Sequence, residues 1–436
     1  MNITLKNIAF HGFKSKSRTA FVSFFEDVSI IYAENGLGKT SFLNALYYFF
    51  TQQESELVNL DISKIICAYE EDDKDKIITV AYDPKKLSFD WKDYEKSSLA
   101  KCSSTYIAIE RAVNHKNFSD LSPNDILEYM TSSNYLTQYS VPAKRTIAND
   151  MYSFLLKKRD KIEKEKGLLE YQQKYRHEYI KNNNIYSLEA LLKEEYKNYL
   201  VKSSIAFNKI LFESLSNLLS KKIKNKSSSE NILDIVKNKD RIIKIVSSDI
   251  DNEEDGDTGL DIRTDIINVL STPEELMTKD LFSSFLTPII YNILLKIDEI
   301  EALSNINVLI STFNSYLDKS KELIVNKDNV FIKIDGKDKR SNEDRKNQKE
   351  NRHDLNNLSS GERHILTLLT TILLKCQGKN FLLIDEPEIS LNVRWQINLL
   401  DSLRKLIPNT QIIVASHSPY IPGKKYSNNL SELILK

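Results

Sequence analysis

Two glycines, a lysine and a hydroxyl stand together in the run Ala33-Glu34-Asn35-Gly36-Leu37-Gly38-Lys39-Thr40-Ser41. These are the types a polyphosphate needs. Glycines let backbone N–H groups close on phosphate oxygens that side chains would hold away. A lysine neutralises the outer phosphates, and a Ser or Thr hydroxyl ligates Mg²⁺. The run follows the apolar stretch Val28–Tyr32, which reads as a strand buried on both faces. It precedes Ser41–Phe50, where Phe42, Leu43, Leu46, Phe49 and Phe50 recur at helical spacing. Strand, turn and helix in that order distinguish a phosphate loop from a chance glycine-rich turn, and the helix N-terminus adds partial positive charge. Residues Asn35 through Ser41 are therefore the expected triphosphate contacts. Ala33 replaces the usual first glycine, and its methyl is tolerable if that residue keeps a negative φ.

A second group lies more than 300 residues on. Asp385 follows four apolar residues in Phe381-Leu382-Leu383-Ile384-Asp385-Glu386-Pro387. That places it at the C-terminal edge of a central strand, where open α/β sheets bind ligands. Its carboxylate suits Mg²⁺, with Thr40 as the second expected ligand. Glu386 is the expected base that orients and activates the attacking water. Leu358-Ser359-Ser360-Gly361-Glu362 opens a helix, with Ser359 or Ser360 as N-cap and Glu362 adding a favourable first-turn charge. Ser359, Ser360, Gly361 and Glu362 read as a wall for the γ-phosphate of a partner's nucleotide; a plain capped helix start is the competing interpretation. His417 ends the segment Ala415-Ser416-His417, where it can hydrogen-bond a γ-phosphate and water. Lys39, Glu386 and His417 are the expected catalytic residues. Glu388–Asn392 is placed to meet a neighbouring subunit.

The elements around these groups divide the chain. Residues 2–10 and 20–32 read as strands about a turn at Gly12, and Lys76–Tyr82, Leu87–Trp91 and Tyr106–Ile109 as further strands. From about 148 to 330 the chain reads as helix after helix. Met151–Tyr179 is charged, Leu188–Leu219 carries a better apolar stripe, and Asp249–Asp257 is an acidic loop. No heptad persists long enough for a long coiled coil. Residues 336–357 are almost purely polar and read as a solvated linker. Leu358–Leu374 and Val393–Leu406 read as helices, Phe381–Ile384 and Gln411–Ala415 as buried strands. The expected domains are 1–148, an N-terminal part of an ATPase domain; 149–335, a helical insertion; 336–357, the linker; and 358–436, the C-terminal part. The fold class is α/β, a mixed sheet flanked by helices and split by a largely helical insertion.

Bulk properties narrow the function. Lysine plus arginine and aspartate plus glutamate number 61 each, so no global basic excess advertises nucleic acid. The Lys-rich stretch Lys157–Lys166 reads as a solvated helix face because Glu163 and Glu165 interrupt it. The three cysteines are widely separated and fit reduced thiols of a cytoplasmic protein. No apolar run reaches the roughly 20 residues of a membrane span, and Met1–Lys6 is not a signal peptide.

With these segments in this order, the chain resembles the ABC-type ATPases of the RecF, SMC and overcoming-lysogenization-defect (OLD) group. In that resemblance Ala33–Ser41 is the Walker A loop, Leu358–Glu362 the signature, Phe381–Glu386 the Walker B strand, Glu388–Asn392 the D-loop and Ala415–Pro419 the switch-histidine loop. It covers roughly half the chain, at both ends. The glutamine such ATPases carry before the insertion is Gln52, Gln53 or Gln138. Ile109-Glu110-Arg111 resembles a short element of some defence-type members. The resemblance implies ATP and Mg²⁺ and a head-to-tail dimer or higher homo-oligomer. OLD-type proteins continue into a Toprim nuclease domain. About seventeen residues follow Pro419 here, so the expected cutter is a separate chain. Small ATPases of this form resemble the ATPase subunits of PARIS and Septu, which implies a Toprim- or HNH-type effector. The leading expectation is a regulatory ATPase of an anti-phage system. The alternatives are a RecF- or SMC-like ATPase that binds DNA in repair, and a nucleotide-held scaffold with slow turnover.

Overall fold

A computed structural model describes residues 3–34, 36–108, 122–132, 139–154, 175–181, 188–220, 229–246, 262–272, 281–302, 305–334 and 352–436. Its strands are β1 Ile3–His11, β2 Thr19–Ser23, β3 Val28–Tyr32, β4 Lys64–Glu71, β5 Lys74–Asp83, β6 Ser88–Asp90, β7 Ser104–Ala108, β8 His177–Lys181, β9 Lys321–Val325, β10 Val330–Ile334, β11 Arg352–His353, β12 Phe381–Asp385, β13 Gln411–Ala415, β14 Leu430–Glu432 and β15 Ile434–Leu435.

Six strands form a parallel sheet in the order β14-β3-β13-β12-β7-β8. Its central strands are apolar on both faces because both are covered, so β12 and β13 are buried along their whole length. A second sheet, β15-β2-β1-β4-β5-β6, is antiparallel where its strands pair. The helix Lys39–Thr51 lies between the two sheets. Phe42 meets Phe10 of β1 edge-on at 5.4 Å, and Phe50 stacks on Phe381 of β12 at 4.9 Å. Burial from both sides explains why this helix is apolar nearly all round.

A single amide stitches the sheets together. The β1–β2 pairing begins only at Asn7, opposite Ser23, so Leu5, paired with Tyr69 of β4, has no strand partner on that other side. The side chain of Gln411, 3% exposed, then accepts from Leu5 N at 2.8 Å and donates to Leu5 O at 3.0 Å and Phe25 O at 2.7 Å. The β4–β5 hairpin turns on Asp72 and Asp73, both at positive φ, as a tight two-residue turn of this hand requires.

Some elements depart from the sequence reading. His177–Lys181, expected as the end of a charged helix, is the edge strand β8. Its Glu178 is buried between Lys375 at 3.1 Å and Lys379 at 3.3 Å, partners about 200 residues away. Residues 321–334, expected as helical, form the β9–β10 hairpin, joined by β11 in a three-stranded sheet. The end of the expected polar linker is also structured, as β11 and a short turn of 3₁₀ helix at Leu355–Asn357. The acidic loop Asp249–Asp257 and Lys157–Lys166 lie outside the described residues.

The chain forms two compact units. One comprises residues 1–190, 315–318 and 354–436, and the other residues 191–314 and 319–353. The first reaches Ala190 because β8 belongs to the parallel sheet. The second contains the helix core of Phe207, Ile242, Ile266, Ile289 and Ile293.

His177 gives the fold a pH signature. Its ring stacks on Phe50, its Nδ1 pairs with Ser104 Oγ at 2.9 Å, and burial, with Arg176 and Lys379 nearby, pushes its pKa down to about 4. A base whose folded pKa lies below its unfolded value of 6.5 contributes stability above pH 6.5 and loses it as pH falls towards 4. The melting temperature of the wild type should therefore drop more steeply between pH 7 and pH 5 than that of His177→Asn. Parallel curves for the two proteins would contradict this.

Candidate active site

The phosphate loop leaves the C-terminal end of β3 and enters the helix Lys39–Thr51. Gly36 and Gly38 have φ of +86° and +98°, values a side chain would strain. Nothing lies within 4 Å of where a Cβ on Gly36 would be, so the loop presents open space on that side. Ala33 is not among the residues at positive φ, as its methyl requires. Its carbonyl accepts from Lys39 Nζ at 2.6 Å. Asn35 lies outside the described residues.

Three separated segments converge here because β3, β13 and β12 are adjacent and parallel, so their C-terminal ends share one edge. Lys39 Nζ, 2.9 Å from His417 Nδ1, joins the β3 and β13 loops. His417 Nε2 stands 3.2 Å from Glu386 Oε1, which continues the chain to the end of β12. Glu386 takes φ +50°, a backbone value uncommon for a side-chain residue and typical of functional turns. Burial lowers the Lys39 pKa, against the pull of Glu386, Glu388 and Asp385. Burial also raises Asp385, to about 6, with Glu386 and Glu388 adding repulsion while the Thr40 hydroxyl and Lys39 oppose it.

The donor set fits Mg²⁺. Asp385 is 8% exposed, and its Oδ1 is buried with no hydrogen-bond partner, an expensive arrangement that a cation relieves. The Thr40 hydroxyl pulls the Asp385 pKa down, and these two residues would hold the ion, which would neutralise phosphate charge when bound. Among the described residues no cluster of three or more His, Cys, Asp or Glu side chains could hold a metal. Lys39 would hold the outer phosphates. Glu386 and His417, 3.2 Å apart, would orient water and pass its proton.

The signature segment opens a capped helix, and of the two expected N-caps Ser359 is the one used. Ser359 is the N-cap of the helix Ser360–Lys375 and forms a capping box with Glu362: Glu362 N donates to Ser359 Oγ at 3.3 Å, and Ser359 N donates to Glu362 Oε2 at 2.8 Å. Both side chains serve the helix, leaving the exposed Ser360 and the backbone of Gly361 for a ligand. The atoms nearest a Cβ on Gly361 would be Ser390 O and the Trp395 ring, not the phosphate loop. Gln52 and Gln53 stand at the far end of the helix Lys39–Thr51, about 20 Å along its axis at ~1.5 Å per residue, so neither reaches the phosphates. Gln138, Ile109, Glu110 and Arg111 lie outside the described residues.

Two side chains here escaped the sequence reading. Glu388 turns into its own subunit: its Oε1 accepts from Ser416 Oγ at 2.7 Å, His417 N at 2.7 Å and Ser418 N at 3.2 Å. It fixes the loop that presents His417. Lys14 Nζ lies 3.1 Å from where a Cβ on Gly38 would be, adding a cation to the rim of the phosphate loop. Its only sequence signal is a lysine two residues after a turn glycine.

A model of the AAA ATPase domain family matches residues 2–421, nearly the whole chain. The chain belongs to that family. Membership implies that this AAA ATPase domain binds ATP, typically with Mg²⁺. The chain is 33% identical to the "Retron Ec83 probable ATPase" of Escherichia coli over 84 residues, a match spanning 17% of this chain and 16% of that relative. Among solved structures, the Smc head domain of Pyrococcus furiosus, bound to the C-terminal domain of ScpA, aligns at 14% identity and TM-score 0.36 over 100% of this chain and 96% of that one. The SMC head of Thermotoga maritima aligns at 11% identity and TM-score 0.35 over 99% and 98%. No helix among the described residues of the AAA ATPase is long and apolar enough to cross a membrane.

Proposed function

We propose that this AAA ATPase hydrolyses Mg-ATP at a site completed by a second copy of itself, and that it regulates a separate effector nuclease in a bacterial defence system. The main support is the linked set Lys39, His417, Glu386 and Asp385, drawn from three parallel strands to one edge. A base, a cation, a metal carboxylate and a hydroxyl at one phosphate loop suit attack of water on a γ-phosphate. The second copy is inferred from Ser360, exposed at a capped helix start. The defence role rests on the resemblance to PARIS- and Septu-type ATPase subunits and on the short match to a retron ATPase.

Steady-state phosphate release by the full chain tests the chemistry. Wild type should turn over Mg-ATP, and Lys39→Ala should lose about 10²-fold or more. Absent turnover with intact ATP-dependent pairing would replace hydrolysis by a nucleotide-held scaffold. Co-purification with a nuclease encoded beside it tests the regulatory role.

A further inference from the structure

We propose that Trp395 and Tyr316 position the signature turn, so that their packing sets the competence of the neighbouring ATP site. This rests on the assignment of Ser360 and Gly361 to a partner's γ-phosphate.

Two observations form a connected line. First, Gly361 is flush against two groups: an ideal Cβ on it would lie 2.8 Å from Ser390 O and 2.9 Å from Trp395 Cζ3. No larger residue fits, and any shift of the indole or of the Ser390 backbone must be felt at Gly361. Second, the same indole meets the Tyr316 ring edge-on, at 5.9 Å and 84°. Tyr316 is 5% exposed, and its hydroxyl donates to Ser402 Oγ at 2.7 Å, so the ring is anchored along the helix Val393–Leu406. The indole's own backbone is held at the start of that helix, where Trp395 N donates to Asn392 Oδ1 at 3.0 Å.

The test compares Trp395→Leu, Tyr316→Leu, their combination, Trp395→Phe and Ser360→Arg in the full chain. Each single leucine variant should lower kcat at least tenfold while its ATP affinity, measured with Mg-ATP at low protein concentration, stays within twofold. Trp395→Phe, which keeps a ring, should recover most of the rate. The double variant should be no slower than Trp395→Leu, because residues acting in series are not additive. Unchanged kcat in both singles, or independent multiplication of their effects, would overturn the proposal. If Trp395→Leu fails to fold, Tyr316→Leu alone decides the same question. Ser360→Arg separates the two levels. If it kills turnover while the leucine variants do not, only the positioning role is wrong; if it leaves turnover intact, the signature assignment itself is wrong.

Discussion

Glu386→Gln should lower ATP turnover by about 10²- to 10³-fold, the range expected for losing a positioned base, while leaving ATP bound. The amide keeps the volume of the side chain at the end of β12 but gives up its ability to take a proton. Its place beside His417 Nε2, 3.2 Å from Glu386 Oε1, identifies the interaction that is lost. Lys39 and the backbone of the phosphate loop are untouched, so affinity should hold. Phosphate release under saturating Mg-ATP, together with equilibrium binding of ATP, measures both halves. Normal turnover in the variant would remove Glu386 from the chemistry.

Gly12→Ala should destabilise the fold by about 3–5 kcal/mol, at the severe end for a single substitution. Gly12 has φ +89°, and an added Cβ would lie 2.1 Å from the carbonyl oxygen of Asp61. Asp61 is itself at φ +61°, so neither backbone can easily yield. The clash falls where the turn after β1 meets the segment before β4, and Lys14 N donates to Leu60 O at 2.8 Å in the same place. Relieving it must move Lys14 away from Gly38, so nucleotide affinity should fall together with the urea midpoint. An unfolding free energy within ~0.5 kcal/mol of wild type would show that this junction is slack.

Much of the site could be read in the sequence because its chemistry is local. The phosphate loop needs consecutive residues, and the strands that deliver Asp385 and His417 are continuous apolar runs buried on both faces. What could not be read depends on distant partners. β8 looks like part of a charged helix because Glu178 is neutralised only by Lys375 and Lys379. β4 is absent from the expected strands because its end is acidic, although Glu71 is buried against Lys76 and the turn is Asp72–Asp73. The β9–β10 hairpin did carry a signal, the alternation of Val330–Ile334, but its setting among helices outweighed it. Glu388 read as a surface facing a partner, whereas its carboxylate gathers three donors from its own His417 loop. Ser359 and Glu362 show the limit of motif reading, because one pentapeptide both caps a helix and presents Ser360.

A complementation assay bears most directly on the composite site. Lys39→Ala disables the phosphate loop and Ser360→Arg blocks the signature, so each variant alone should be inactive. Mixed in equal amounts, they should regain a substantial fraction of wild-type phosphate release, because a mixed pair contains one site with both parts intact. A mixture as inactive as its components would show that each chain uses its own signature, and would contradict a site shared between two copies.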